Sequence, residues 1–292
     1  MERKTHLDTF GAVALTAFAL HLAFNQVVIK VTNGGFDPIY QAGLRSAGAA
    51  VVMVLWMRLR GVSLSLPRAS VFGGVLSGSL FAIEFMALYT ALDLTTVSRS
   101  SLIFYSMPVW LALAAHFTLP GEQLSGKRLL GLALAMGGVA IAVADRGGGT
   151  ASLAGDALAL VAALCWAGIA LCVRLTPLQE VAPEQQLLWQ LIISAPVLLI
   201  ASAVLGAYVR EIEAIHLWGL TFQIFAVASF GFLIWFWLMK MYPASTVASF
   251  SFLSPVFSVI LGWLLLKEEV GLSIWLALIF VAAGLFLINR RS

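Results

Sequence analysis

The feature that most constrains this chain is a series of apolar stretches, each about as long as a lipid bilayer is thick. A membrane-spanning helix needs about 20 mostly apolar residues. Stretches of that kind cover 9–31, 38–57, 71–91, 97–118, 128–145, 153–173, 185–206, 216–238, 244–265 and 272–289. The segments between them are short and rich in turn residues and charges. The pattern predicts an all-α polytopic membrane protein with ten transmembrane helices and no separate soluble domain.

Composition excludes most other classes of protein. Hydrophobic residues make up 61% of the 292 residues and charged residues 11%, whereas a soluble domain carries about 25% charged residues. The formal net charge of +3 is too small and too dispersed to indicate nucleic-acid binding. Cys165 and Cys172 are two helical turns apart in one apolar stretch, too far for a disulfide. We therefore expect core thiols, no metal and no cofactor, with the lipid bilayer and a small-molecule substrate as partners.

The distribution of basic residues predicts the orientation in the membrane, because cytoplasmic loops carry an excess of Lys and Arg. A cytoplasmic N-terminus places eleven of the 17 Lys and Arg residues on the cytoplasmic side and six on the other. An even number of spans returns the C-terminus to the same side. We expect a monomeric, multi-pass protein of the cell inner (cytoplasmic) membrane with both termini in the cytoplasm.

Two similar proline motifs indicate an internal repeat. The segments FYSMPVW (104–110) and FLSPVF (252–257) place Pro108 and Pro255 147 residues apart inside apolar stretches. At the same offset Glu122 aligns with Glu269, and the sequence VS at 97–98 aligns with AS at 244–245. The predicted halves, 1–148 and 149–292, hold five spans each, so the second half must enter the membrane from the opposite side. Inverted repeats around a central cavity are typical of secondary transporters.

These features give the chain a recognisable resemblance. A glycine begins the first span of each half, a proline interrupts the fourth and ninth spans, and a glutamate follows each (PGEQLSG and KEEVGLS). In this order of elements the chain resembles the drug/metabolite transporter superfamily, in its ten-helix EamA-type branch, and within it the aromatic amino acid exporters of the YddG type. The resemblance implies inner-membrane export of aromatic and related amino acids. It also implies a cavity lined by the third, fourth, eighth and ninth helices with the first and sixth.

The prolines have two interpretations. Proline within a helix removes one N–H and frees the carbonyl four residues earlier, here those of Phe104 and Ser251. The break either serves packing alone or also presents these carbonyls to a substrate. In each of the two spans, hydroxyl side chains share a helix face with the proline. They either form hydrogen bonds between helices or line a polar cavity wall. They are Ser98, Ser101 and Tyr105 in the first half and Ser251, Ser254 and Ser258 in the second.

Ionisable residues inside the spans are costly and therefore informative. Glu84 and Arg45 lie at similar predicted depths, which predicts either a structural ion pair or a functional glutamate that carries a proton or binds a substrate amine. His21, with Asn25 one turn away, is either a hydrogen-bonded packing residue or a substrate contact that can change its charge.

Aromatic residues supply the walls of the predicted cavity. Deep in the spans they would stack on flat apolar substrates, although ordinary helix packing explains each one singly. The complete set of predicted cavity residues is His21, Asn25, Glu84, Tyr89, Ser101, Tyr105, Pro108, Trp166, Phe225, Trp235, Ser251, Phe252 and Pro255.

The function that fits these patterns is export of small amphipathic metabolites, above all aromatic and related amino acids, by alternating access. A multidrug or other metabolite carrier of the same fold is the alternative. An integral membrane enzyme is disfavoured, because the sequence has no HExxH, no GxSxG and no Asp-rich cluster. A channel is disfavoured by the lack of a repeated filter sequence.

Overall fold

The computed structural model describes residues 8–119, 123–145, 152–206, 208–242 and 250–289, and every named element in them is helical. The first half contains α1 Thr9–Thr32, α2 Pro38–Leu59, α3 Val71–Leu94, α4 Val97–Phe104, α5 Met107–Thr118 and α6 Gly126–Ala144. The second half contains α7 Leu153–Leu175, α8 Pro183–Leu205, α9 Ala214–Phe222, α10 Phe230–Met241, α11 Leu253–Leu266 and α12 Leu272–Asn289. A seven-residue π-helix, Gln223–Ser229, joins α9 to α10.

Within the described residues, eight helical stretches are long and apolar enough to cross a membrane, which confirms a multi-pass membrane protein. Two further apolar helices, Leu253–Leu266 and Leu272–Ile288, are shorter. The predicted ninth span starts at residue 244, outside the described residues, so the number ten stays a prediction.

Polar side chains at the start of several helices explain where those helices begin. An N-cap oxygen accepts one of the backbone N–H groups that have no partner within the helix. Asp8 accepts from Gly11 N at 2.8 Å, and Asp37 accepts from Ile39 N at 3.0 Å just before Pro38. Hydroxyl caps at the starts of α4, α6 and α7 do the same: Thr96, Ser125 and Ser152.

Helices α2 and α8 lie antiparallel. Near the end of α2, Gln185 Nε2 at the start of α8 donates to the carbonyls of Ser63 and Ser65, at 3.0 and 2.7 Å. At the other end, Asp37 N donates to the Tyr208 carbonyl at 3.0 Å. The second helix of one half therefore runs opposite to the second helix of the other.

Helices α6 and α12 also run antiparallel, and glycines let them approach closely. A Cβ on Gly138 would lie 2.7 Å from the Ala277 carbonyl oxygen, and one on Gly131 would lie 2.8 Å from the Gly284 carbonyl oxygen. Such distances are too short for a side chain, so the close approach requires glycine. A separate hydrophobic cluster fills this side of the bundle.

Most of the remaining contacts join an element of the first half to an element of the second half. Helix α3 packs against α7 and α8, while α1 packs against α9, and α2 packs against the π-helix that follows α9. Helix α1 packs against α11, while α4 and α5 pack against α7. Several contacts made by elements of the first half thus have counterparts in the second, and α1 and α4 both pack against α11.

Candidate functional site

The fourth predicted span is broken rather than kinked. Helix α4 ends at Phe104, the hydroxyl of Ser106 donates to the Ile103 carbonyl at 2.6 Å, and α5 starts at Met107. Pro108 therefore lies in the first turn of α5, where a backbone N–H has no partner within the helix in any case. The second half repeats this arrangement, since a short 3₁₀ turn precedes α11 and Pro255 lies in the first turn of α11.

Tyr105 connects the break in α4 to three other helices. It is 5% exposed, and its hydroxyl interacts with Gln26 of α1 and Ser254 of α11. Its ring lies 6.2 Å from that of Trp166 on α7, which also stacks on Phe104 at 4.9 Å with 17° between the ring planes. A hydroxyl and a flat aromatic surface thus meet where the two halves join.

On the three helices that meet at Tyr105 (α1, α4 and α11), several polar atoms are buried and have no hydrogen-bond partner among the described residues. They are Asn25 Oδ1, Gln26 Oε1, Ser101 Oγ and Ser258 Oγ. Such atoms are rare in folded proteins, and each costs about 1–3 kcal/mol unless water or a ligand bonds to it. We call Asn25, Gln26, Ser101, Tyr105, Ser254 and Ser258 the central polar cluster.

Two ionisable side chains, Arg45 of α2 and Glu84 of α3, are buried inside the bundle. Arg45 is 1% exposed and Glu84 4%. The Arg45 guanidinium carbon lies 4.0 Å from the centroid of the Phe85 ring and 5.9 Å from that of Phe81. Aromatic rings therefore cover the cation of Arg45, and the pairing of Arg45 with Glu84 stays a prediction.

A buried amide in the π-helix joins the first three helices. Gln223 accepts from the Tyr89 hydroxyl at 2.7 Å and from Gln41 Nε2 at 3.1 Å, and donates to Thr32 Oγ1 at 3.3 Å. Tyr89 is among the residues predicted from the sequence, whereas Gln41 and Gln223 are not. The only feature of the sequence that could have indicated these two residues is a side-chain amide inside an apolar stretch.

His21 has a defined hydrogen-bond partner. Its Nε2 lies 3.1 Å from the carbonyl oxygen of Ala226 in the π-helix. A carbonyl only accepts, so Nε2 must carry the proton and donate. The geometry fits the packing interpretation of His21.

Other predicted residues lie away from the central polar cluster. Trp235 stacks on Phe18 at 5.3 Å, and Phe252 packs edge-on against Phe286 of α12 at 6.0 Å. Phe225 is 47% exposed. The side chain of Ser251 lies outside what the structure describes.

Sequence reasoning also missed a buried carboxylate at the start of α4. Glu268 accepts the backbone N–H groups of Val97 and Ser98 and, at 2.6 Å, the Ser98 hydroxyl. The repeat had singled out its neighbour Glu269, which is exposed. Glu122, the other residue of that alignment, lies outside the described residues.

The turn between α3 and α4 is held from its other side by Lys30. Its ammonium donates to the carbonyls of Leu92 and Thr95, both at 2.7 Å, at the C-terminus of α3. A cation at a helix C-terminus and an anion at a helix N-terminus both complement the helix dipoles, and the two charges also attract each other. We call Lys30, Glu268 and the turn that they hold, residues 92–98, the α3–α4 clamp.

Two arginine–carboxylate pairs lie at the same end of the bundle. Arg99 binds Asp156 through Nη2 at 2.6 Å and Nε at 3.3 Å and also donates to the Asp145 carbonyl. Arg210, in the loop after α8, binds both carboxylate oxygens of Asp93 at 2.8 Å. The hydrogen bonds to Asp93 raise the pKa of the Arg210 guanidinium above its ordinary value. Paired charges therefore join helix ends and loops at this end of the molecule.

No group of three or more His, Cys, Asp or Glu residues that could hold a metal ion occurs in the part of the chain that the structure describes. The arrangement offers unpartnered polar atoms, aromatic faces and the buried ionisable side chains of Arg45 and Glu84, which suit the binding of a small molecule.

Comparison with known proteins gives consistent results. The model of the EamA-like transporter family matches residues 9–144 and again residues 153–290. The chain is 25% identical to the uncharacterized transporter YoaV of Bacillus subtilis over 95% of this chain and 94% of that protein. It is 27% identical to a "Probable amino-acid metabolite efflux pump" of Escherichia coli over 95% and 93%. A solved crystal structure matches the fold with a TM-score of 0.67 at 20% identity, over 94% of this chain and 96% of that one.

Proposed function

Because this chain belongs to the EamA-like transporter family, we propose that it exports small amphipathic metabolites, above all aromatic and related amino acids, by alternating access. The observation that carries this proposal is the meeting of Tyr105, Gln26 and Ser254 where the helix breaks of the two halves converge. Unpartnered polar atoms lie on the helices that meet at this point, and Trp166 and Phe104 provide flat apolar faces. Amino acids with aromatic side chains carry polar groups that can bond to such atoms and a flat ring that can pack on such faces.

The transporter is built from two five-span halves, 1–148 and 149–292, inserted in opposite directions. The antiparallel pairs α2–α8 and α6–α12, and the exchange of contacts between halves, support this arrangement. So does the family model, which matches once in each half. A pseudo-two-fold axis in the membrane plane lets one site open to each side in turn.

The protein works as a monomer in the inner membrane, with both termini in the cytoplasm. In this orientation the α3–α4 clamp and the two arginine pairs lie at the outer end, so the described conformation is closed toward the outside. Export requires these contacts to open after substrate enters from the cytoplasm.

Amino-acid flux in proteoliposomes tests the proposal. Purified protein is reconstituted, and the efflux of tryptophan, phenylalanine, leucine and glutamate is measured over a range of concentrations. We expect saturable flux that is fastest for the aromatic amino acids. Flux that never saturates indicates a channel and contradicts alternating access. Absence of amino-acid flux, with transport of unrelated lipophilic cations, contradicts the proposed substrate and favours the multidrug carrier.

A further inference from the structure

Arg45 has a buried charge that the described contacts leave incompletely satisfied. It lies about two turns from the start of α2 and is 1% exposed. Its Nε and Nη1 have no hydrogen-bond partner among the described residues. Since a guanidinium stays protonated in proteins and a buried N–H without an acceptor is costly, these two donors point to an acceptor that binds there.

The surroundings of Arg45 define what that acceptor is. The rings of Phe85 and Phe81 lie over the guanidinium and attract its charge, but a ring face does not accept the N–H groups that point outward in the guanidinium plane. Glu84 is 4% exposed and directly precedes Phe85 on α3, so its carboxyl group is buried close to the ring that covers Arg45. An anion bound to Arg45 alone would add a negative charge beside this carboxylate, so the favourable ligand also carries a cation.

We propose that Arg45 binds the carboxylate of the transported substrate and that Glu84 binds its ammonium group, so that the site selects zwitterionic α-amino acids. This inference rests on the proposed function and assigns its substrate class to two residues. A zwitterion brings no net charge into the buried site, and each of its charged groups receives a charge-assisted hydrogen bond. A ligand that lacks either charge leaves one protein charge unmatched.

Competition with tryptophan analogues tests the assignment. Uptake of labelled L-tryptophan into proteoliposomes is competed by three analogues, of which the methyl ester and tryptamine lack the carboxylate, and indole-3-propionate lacks the ammonium. We expect the wild-type protein to prefer tryptophan to each analogue by about 10-fold or more, the size of one charge-assisted hydrogen bond. Arg45→Gln removes the preference over the ester and tryptamine but keeps the preference over the propionate. Glu84→Gln has the opposite effect.

Matched controls separate a binding role from a structural one. Arg45→Lys keeps the charge and retains part of the preference for the carboxylate. Arg210→Gln removes an arginine that already pairs with Asp93, and it leaves the preferences unchanged. The inference is overturned if the wild-type protein accepts the methyl ester as well as tryptophan, which requires no variant to fold. It is also overturned if Arg45→Gln retains the wild-type preferences. Failure of the proposed function is a different result, namely no transport of tryptophan by the wild-type protein.

Discussion

The Arg99–Asp156 pair illustrates how much one residue can contribute when its charge is buried. The arginine side chain is 5% exposed and the aspartate 3%, and two guanidinium nitrogens bind the carboxylate. The intact pair satisfies both charges, but removing one partner leaves the other buried without compensation. Arg210 and Asp93 have the same chemistry, yet the arginine is 41% exposed, so water can replace a lost partner.

Alanine substitution of the two arginines should therefore have very different effects. We expect Arg99→Ala to lower the free energy of unfolding by about 3–5 kcal/mol, and Arg210→Ala to lower it by about 1 kcal/mol or less. The thermal unfolding of purified protein in detergent measures both. Similar shifts for the two variants would mean that the Arg99 pair is as well hydrated as the exposed one.

Tyr105→Phe tests the central polar cluster at the level of a single atom. The substitution keeps the ring that packs on Trp166 and removes the hydroxyl that interacts with Gln26 and Ser254. We expect amino-acid flux at low substrate concentration to fall about 5-fold, the size of one net hydrogen bond, with little change in melting temperature. Tyr40→Phe is the control, because Tyr40 packs edge-on against Tyr208 at the end of the bundle. An equal loss in the control would contradict a substrate role for the Tyr105 hydroxyl.

At single positions, the sequence predicts the type of environment around a side chain better than it predicts which residues that side chain contacts. The stripe of Ser101 and Tyr105 could be recognised because polar residues at helical spacing avoid lipid. The sequence could not show which of Glu268 and Glu269 is buried, because the two are adjacent residues of the same type. Helix α11 ends at Leu266, and Lys267 takes a left-handed conformation with φ of 53°. The resulting turn buries Glu268 and exposes Glu269, which depends on backbone geometry that the sequence pattern does not contain.

At the scale of elements, the positions of apolar helices follow from hydropathy, but their interruptions follow from contacts. The fourth span, 97–118, agrees with α4 and α5 at both ends, and its proline indicated the break. The eighth span gave no comparable signal for the π-helix Gln223–Ser229. Side chains from other helices form hydrogen bonds with this π-helix. His21 bonds to the Ala226 carbonyl, and three other side chains bond to Gln223. Partners distant in sequence stabilise it, so local periodicity could not predict it.

The α3–α4 clamp is the element whose release should open the outer end. A cysteine at Ser101, which is 0% exposed, reports access to the centre in protein whose buried Cys165 and Cys172 have been replaced by alanine. We expect this cysteine to resist a membrane-impermeant maleimide added from outside. In the same background, Glu268→Ala removes the acceptor of the Val97 and Ser98 backbone N–H groups and of the Ser98 hydroxyl. This change should increase labelling of the cysteine at position 101 several-fold. Each of these hydrogen bonds to a charge contributes about 1.5–3 kcal/mol.

Glu269→Ala is the matched control for that experiment, since it removes the same charge from the adjacent, exposed position. It should leave the labelling of the Ser101 cysteine unchanged. Equal labelling in the two variants, or no increase with Glu268→Ala in folded protein, would mean that the clamp does not control the outer end.

For the whole molecule, the decisive inference from the sequence is the odd number of spans in each half, because it forces the halves to insert in opposite directions. The antiparallel pairs α2–α8 and α6–α12 have this geometry in the described structure. Hydropathy and the proline repeat predict such an arrangement. They could not anticipate the ion pairs at one end of the bundle, because these join residues far apart in the chain, such as Arg210 and Asp93.

The loops that follow α2 and α8 test this topology directly. Ser65 and Glu211 are both exposed in these loops, so each accepts a single cysteine in protein without Cys165 and Cys172. If the halves are inverted and the termini are cytoplasmic, Glu211→Cys reacts with an impermeant maleimide in intact cells. Ser65→Cys reacts only after the membrane is made permeable. Labelling of both cysteines from the same side would exclude inversion, and with it a single central site shared by two equivalent halves. The reverse pattern would keep the inversion but turn the protein around, so that the α3–α4 clamp would close the cytoplasmic end.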